Sequence, residues 1–287
     1  MMTIAGFVFL LVMVFGGYAI AGGKFGIIMA ALPFEMMMIG GAAIGAFLMA
    51  NSMHDVKHTL GGFGKIIKGG KYHKSDYIEM LSLLYWFVRL AQTKGAMALE
   101  PHIEKPAESA AFQKFPKIAG DHHAVALICD YMRMVGMNAD DPHQIEDTMA
   151  RELKKIKEEE MHPSHAMQSL ADALPALGIV AAVLGVIKTM ASIDQPPAVL
   201  GKMIGGALVG TFLGVLLAYG FMGPLASRLK AVVEEDAKYM EVIRAVIVAH
   251  LHGNAPQVAV ETGRKVAPTH HMPSFQELEE ALQNLSI

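Results

Sequence analysis

Four apolar stretches of about twenty residues each constrain this chain more than any other feature of it. The first begins at Met1 and reaches Gly23 without a charged side chain. A helix over residues 3–21 is long enough for a hydrocarbon core of ~30 Å, which needs about 20 helical residues. The second stretch begins at residue 27 or 33 and ends at 50, interrupted by Glu35; the third covers residues 169–187 and the fourth 203–222. A cleaved signal peptide competes for the first stretch, since Ala19-Ile20-Ala21 resembles a cleavage site. No cation precedes the apolar run, however, and the first one, Lys24, follows it, so the segment is read as a retained helix.

Composition agrees. Hydrophobic residues make up 53% of the chain and charged ones 18%, against about 25% charged in soluble domains. The net charge of −3 offers no basic stripe for a nucleic acid. The distribution of Lys and Arg then orients the spans. Residues 51–169 hold 15 of them and the tail beyond 222 holds six, whereas the two short connections hold only Lys24, and Lys188 with Lys202. By the positive-inside rule both termini and the long insert face the cytoplasm. The expected fold is an all-α membrane protein: transmembrane helices 1 and 2 in 1–50, a cytoplasmic helical domain in 51–168, transmembrane helices 3 and 4 in 169–222, and a cytoplasmic helical tail in 223–287.

The insert is helical by periodicity. Ser75-Asp76 with Glu79 reads as a helix start, and the apolar run behind it ends before Pro101. Gly120-Asp121 starts another helix and Gly136 ends it. Residues 141–161 are rich in charges at helical spacing, with Asp147 and Arg151 in register. That run reads as a solvated helix surface before it reads as a docking face. Residues 224–249 read as helix, and Ser274 stands three before Glu277 at capping-box spacing. No phosphate-binding glycine loop occurs, which removes a nucleotide-binding domain and leaves no enzyme signature.

Small residues form two stripes. Gly206, Gly210, Gly214 and Ala218 are four apart in span four; Pro175, Gly178, Ala182, Gly185 and Thr189 alternate by three and four in span three. Span two adds Gly41 and Gly45. In lipid such stripes let backbones approach. They serve packing among the chain's own helices, or leave a groove for a helix from elsewhere. Pro175 and Pro224 lie near the inner ends of spans three and four, as a hinge or as helix-end features. The middles of spans one, three and four hold no ionisable group, leaving Thr211 and Tyr219 as the notable polar side chains; Glu35 is placed near the outer surface, solvated. A proton pathway would then take its titratable group from a partner. Cys129 reads as a small core residue. The pairs His122-His123 and His270-His271, with His250 and His252, lack acidic or thiol ligands at metal-site spacing, so no metal is expected.

The segments "LPALGIVAAVLGV", "VGTFLGVLLAYGFMGPLA", "GAMALEPHIEKPAES", "VAVETGRK" and "PSFQELEEAL" resemble the MotA family of flagellar stator subunits, over essentially the whole chain. The resemblance implies a proton-channel subunit of the bacterial inner membrane, without cofactor. It implies a pentameric ring around two copies of a MotB-like, peptidoglycan-anchored partner that supplies the ion-binding aspartate. On that resemblance Pro175 and Pro224 are coupling prolines, Thr211 faces the channel, and Gly178 lies on the stripe toward the foreign helix. Alanine at Ala182, where sodium-driven relatives carry threonine, favours protons over Na+, since a hydroxyl ligand for a hard cation is missing. Glu100 matches the acidic residue that engages a FliG-like rotor protein. Gln92 stands where the family usually has arginine, so Arg89 or Lys94 takes over the positive charge. An ExbB/TolQ-type energy transducer, with three spans, is the nearest alternative; a substrate transporter or a membrane scaffold is more distant.

Overall fold

The computed structural model describes residues 2–137 and 141–285; residues 1, 138–140 and 286–287 lie outside the described residues. Every regular element among the described residues is helical. In chain order these are α1 (Met2–Ile20), α2 (Phe25–Ala50), α3 (Met53–Lys68), α4 (Lys74–Lys94), α5 (Glu100–Ile103), α6 (Ala110–Gln113), α7 (Pro116–Ala119) and α8 (His122–Gly136). Then follow α9 (Pro142–Met190), α10 (Pro197–Val215), a π-helical stretch (Leu216–Met222), α11 (Gly223–Leu251), α12 (Pro256–Val266) and α13 (Phe275–Gln283). Four helical runs are long and apolar enough to cross a bilayer: Met2–Ile20, Phe25–Ala50, Pro142–Met190 and Pro197–Leu251. Residues 2–50 thus hold two candidate spans separated by a turn at Gly22, whose φ of +77° suits glycine. That count disfavours the three-span alternative.

The chain divides into two compact units, residues 1–69 with 160–232 and residues 70–159 with 233–287. Helices α9 and α11 contribute residues to both.

The first unit has a small core of Ile39, Ala43, Leu174, Ala181, Val209, Leu213 and Ala218. Helix α1 buries no residue; Phe7 lies 5.2 Å from Phe221, and Phe15 lies 6.1 Å from Phe212, ring to ring. Of the cations that follow span two, Lys57, Lys65 and Lys68 sit on a further helix, α3. The overlooked signal is Ser52, whose Oγ caps the Asp55 N–H at 3.2 Å. Lys65 of α3 pairs with Glu160.

The second unit holds the larger core. Eleven α4 residues are buried, including Tyr77, Leu81, Leu84, Phe87 and Val88, and they pack with Ile128 and Met132 of α8 and Val242, Ile243 and Val246 of α11. Ile145, Met149 and Leu153 line one face of α9 against this core. That spacing of four assigns most of the charged run to the outward surface. Its i,i+4 ion pair is Lys154–Glu158 at 3.8 Å, while Glu152 accepts from Tyr131 Oη at 2.6 Å. Cys129 is 5% exposed, and burial pushes its thiol up to about 11, which fits a core role.

Three helix boundaries differ from expectation. The α4 cap is His73, paired reciprocally with Asp76, and Ser75 is already helical. Helix α4 stops at Lys94 because Gly95 adopts φ +83°, and Pro101 then sits in the first turn of α5, where its missing N–H is harmless. Span three has no break before it: α9 runs through Pro163 and Pro175 without interruption. Asp121 caps α8, and Ser274 with Glu277 forms the capping box of α13, both as expected.

The last two family-like segments prove to be one structural feature. Arg264 of α12, 5% exposed, meets Glu261 with Nε and Nη2 at 2.7 and 2.6 Å and donates from Nη1 to the Pro273 carbonyl at 2.8 Å. One guanidinium fork therefore ties the α12 helix to the approach to α13.

Asp121 anchors the corresponding start of α8. It accepts from Tyr72 Oη at 2.5 Å and Lys71 Nζ at 2.8 Å. Burial acts to raise its carboxyl, but these bonds outweigh burial and hold it below the usual range. A depressed folded value stabilises above the unfolded carboxylate pKa of ~3.9 and loses that stabilisation as pH falls through the folded value. Asp121→Asn, which keeps a capping side chain, should lower stability by about 1–2 kcal/mol at neutral pH. The difference from wild type should vanish in acid. Fluorescence of the single tryptophan, Trp86, buried in this core, reads the unfolding.

Candidate channel and coupling site

The site in the first unit is built on the approach of α9 to α10. A methyl group at Gly178 would stand 2.8 Å from the Gly210 carbonyl oxygen and 3.0 Å from Gly214 Cα. One at Gly214 would stand 2.7 Å from the Leu174 carbonyl oxygen. At Gly185 the neighbour is Ala207, 2.6 Å to its Cβ. The two stripes therefore lock into each other, backbone against backbone. This corrects the expectation for Gly178: its side of α9 is filled by this chain's own α10, not held open for a foreign helix. By contrast, Gly41 and Gly45 meet nothing within 4 Å.

Another face of α9 remains open. Ile179, Val183 and Val186 are about half exposed, at 56, 51 and 47%, and half-buried Ala182 lies on the same face at helical spacing. Thr211 of α10 is half-buried and Tyr219 is exposed. Thr189, at the far end of the stripe, is buried and returns its hydroxyl to the Gly185 carbonyl at 2.9 Å.

Glu35 departs most from expectation. It is 5% exposed rather than solvated. Its Oε2 would lie 2.5 Å from a methyl group on Gly210, so α2 inserts a carboxyl against the glycine stripe of α10. That oxygen has no hydrogen-bond partner among the described residues. A cavity of about 940 Å³ borders it, lined also by Lys24, Lys188 and Lys202. Sequence alone misses this because Glu35 looks like an interruption near a helix end, whereas the neighbouring glycines create the room that buries it.

Pro224 is exposed and Pro175 half-buried. Residues 216–222 are π-helical, and the Gly223 N–H donates to the Ala218 carbonyl five residues back. Proline explains the position: Pro224 has no N–H to donate and its ring crowds the carbonyl four residues earlier. The preceding turn widens in response, a local form frequent at functional sites. The helix does not end at Pro224 but continues through a widened turn into α11.

In the second unit, Arg89, Gln92, Lys94 and Glu100 are all exposed. Gln92 Nε2 donates to the Asn254 carbonyl at 2.9 Å, and Arg89 lies over the Tyr85 ring at 6.0 Å. Arg89 and Gln92 share a helix face, three residues apart. Among the described residues no ion pair links Glu100 to Arg89 or Lys94.

The comparisons with known proteins cover the whole chain. The family described as Motility protein A N-terminal matches residues 4–95, and the MotA/TolQ/ExbB proton channel family matches residues 120–242. Motility protein A of Salmonella typhimurium is 40% identical over 98% of this chain and 94% of its own length, and that of Escherichia coli is 39% identical over the same shares. The chemotaxis protein LafT of Vibrio parahaemolyticus is 35% identical over 98% of each chain. Among solved structures, the MotAB stator complex of Bacillus subtilis aligns with a TM-score of 0.71 at 23% identity, covering 97% of this chain and 98% of that one. The MotAB structure of C. jejuni aligns at 0.74 and 20% identity, covering 95% and 98%. With two family models matching in order and 40% identity over nearly the full length, this chain belongs to the motility protein A family, within the MotA/TolQ/ExbB proton channel family.

Proposed function

We propose that this chain is the channel-forming stator subunit of a bacterial flagellar motor, a multi-pass inner-membrane protein that couples inward proton flow to torque. The observation that carries the reading is the rigid α9–α10 pair, whose open apolar face at Ile179, Ala182, Val183 and Val186 suits a partner helix. Whole-chain likeness to motility proteins A supports it. The partner is a MotB-like, peptidoglycan-anchored single-span chain carrying the ion-binding aspartate, and the subunits assemble as a pentameric ring around two copies of it. The excess of Lys and Arg in 51–169 and in the tail supports a cytoplasmic location for both termini and the long insert.

In this mechanism a proton descending the membrane potential releases ~2.3 kcal/mol per 100 mV. Binding at the partner's aspartate removes its charge and changes its preferred position on the α9 face. Thr211 offers a hydroxyl near the path, and Ala182 withholds one, which suits H+ over Na+. Motion travels along α9 and α11, the helices shared by both units. Pro175 and the widened turn before Pro224 are the compliant points. Glu100 then engages a FliG-like rotor protein. With Gln92 tied to Asn254, Arg89 and Lys94 supply the cations of that contact.

The test is complementation of a strain lacking its own stators with this chain and an aspartate-bearing single-span partner. Swimming should follow the proton gradient and persist without sodium. Swimming that stops when sodium is removed would contradict the assignment at Ala182.

A further inference from the structure

We infer that Glu235, His270 and His271 form a binding site for a divalent transition-metal ion of the zinc class. In the sequence the histidine pair has no acidic neighbour at metal-site spacing; the fold brings one from helix α11, 35 residues away. Both imidazoles turn Nε2 to the same carboxylate oxygen: His270 lies 2.7 Å and His271 3.0 Å from Glu235 Oε1. The three side chains thus offer two imidazole nitrogens and a carboxylate, with ligand atoms all within 4.8 Å of one another. Two imidazoles with one carboxylate is a donor set that suits zinc and its neighbours rather than calcium or magnesium.

The site is built on firm ground. The turn bearing the histidines is closed by bonds from the His271 and Met272 N–H groups to the Pro268 carbonyl, at 2.9 and 2.8 Å. Glu235 and His271 are about one-fifth exposed, so only the His270 side is open to solvent. The remaining coordination positions would be filled by water from the open His270 side. At metal–ligand bonds of ~2.0–2.1 Å the ligand atoms stand about 3.4 Å apart, so the observed spacing has to open by roughly half an ångström. Rotation of solvent-facing His270 widens one spacing, and a small shift of the Glu235 carboxylate widens the other.

A second cluster, His143, Glu146 and His252, is a useful contrast. There Arg244 Nη2 sits 3.2 Å from the other Glu146 oxygen. A fixed guanidinium charge opposes a dication at the same carboxylate. At Glu235 both ion-pair partners are histidines, which give up their protons to a metal.

The experiment uses the full chain, purified in detergent through a tag without histidines, stripped with chelator, then titrated with Zn²⁺ by calorimetry and with Co²⁺ by visible absorption. Wild type should take up one ion per chain saturably and unfold at a higher temperature with it. Glu235→Gln and His271→Ala should each weaken uptake more than ~100-fold, beyond what loss of a merely supporting residue causes. His270→Ala, a change at an exposed position, should weaken uptake while leaving the metal-free unfolding temperature unchanged. The His143→Ala, His252→Ala double variant should bind as wild type does. Absence of saturable uptake by wild type, or uptake unaffected by His270→Ala and Glu235→Gln, would overturn the site. None of these readouts depends on motor function.

Discussion

Gly178→Leu should prevent this chain from accumulating in the membrane. A Cβ there would stand 2.8 Å from the Gly210 carbonyl and 3.0 Å from Gly214 Cα. Both neighbours are backbone, so no rotamer change relieves the contact. Even alanine forces the helices apart and should cost about 1–3 kcal/mol; leucine separates them by a side chain and removes the contact that holds α9 to α10 in lipid. Gly41→Leu is the matched control, since nothing lies within 4 Å of that position. Membrane-fraction immunoblots and unfolding midpoints in detergent compare the two. Equal levels of both variants would contradict the role given to the α9–α10 contact.

Pro175→Ala should have the opposite profile, with normal membrane levels and no rotation. Pro175 lies inside α9, and lacking an N–H it leaves the Ala171 carbonyl without its helical donor. Alanine restores that donor, stiffens the helix and removes one of the two compliant points assigned to coupling. Its half-buried position tolerates the smaller side chain, so folding should survive. Swimming and tethered-cell rotation should fall to the level of cells without stators. Normal swimming by this variant would remove Pro175 from the coupling path.

Much of the architecture was legible in the residues. The four apolar runs, the Asp121 cap and the Ser274–Glu277 capping box are local signals, and each led to the helix that the structure contains. Features that depend on tertiary placement were not. The glycine stripes were visible, but whether Gly178 faced its own α10 or a foreign helix depends on helix rotation, which spacing leaves open. Glu35 read as a surface carboxyl because the glycines that bury it stand some 170 residues away in sequence. Pro175 read as a hinge or a helix end, and α9 does not end there, since the helix runs on through it. The widened turn before Pro224 had a readable cause but no readable form. The Glu235–His270–His271 group shows the same limit, since its carboxylate comes from another helix.

Proton conductance in sealed vesicles tests the central claim most directly: the α9–α10 pair is a scaffold, and the essential charge carrier sits on the partner. Vesicles holding this chain with its aspartate-bearing partner should pass protons under an imposed potential, and loss of the partner's aspartate should reduce the flux to background. This chain alone, despite its buried Glu35, should stay at background. Flux through the chain alone equal to that of the full complex would contradict the account and move the carrier onto Glu35.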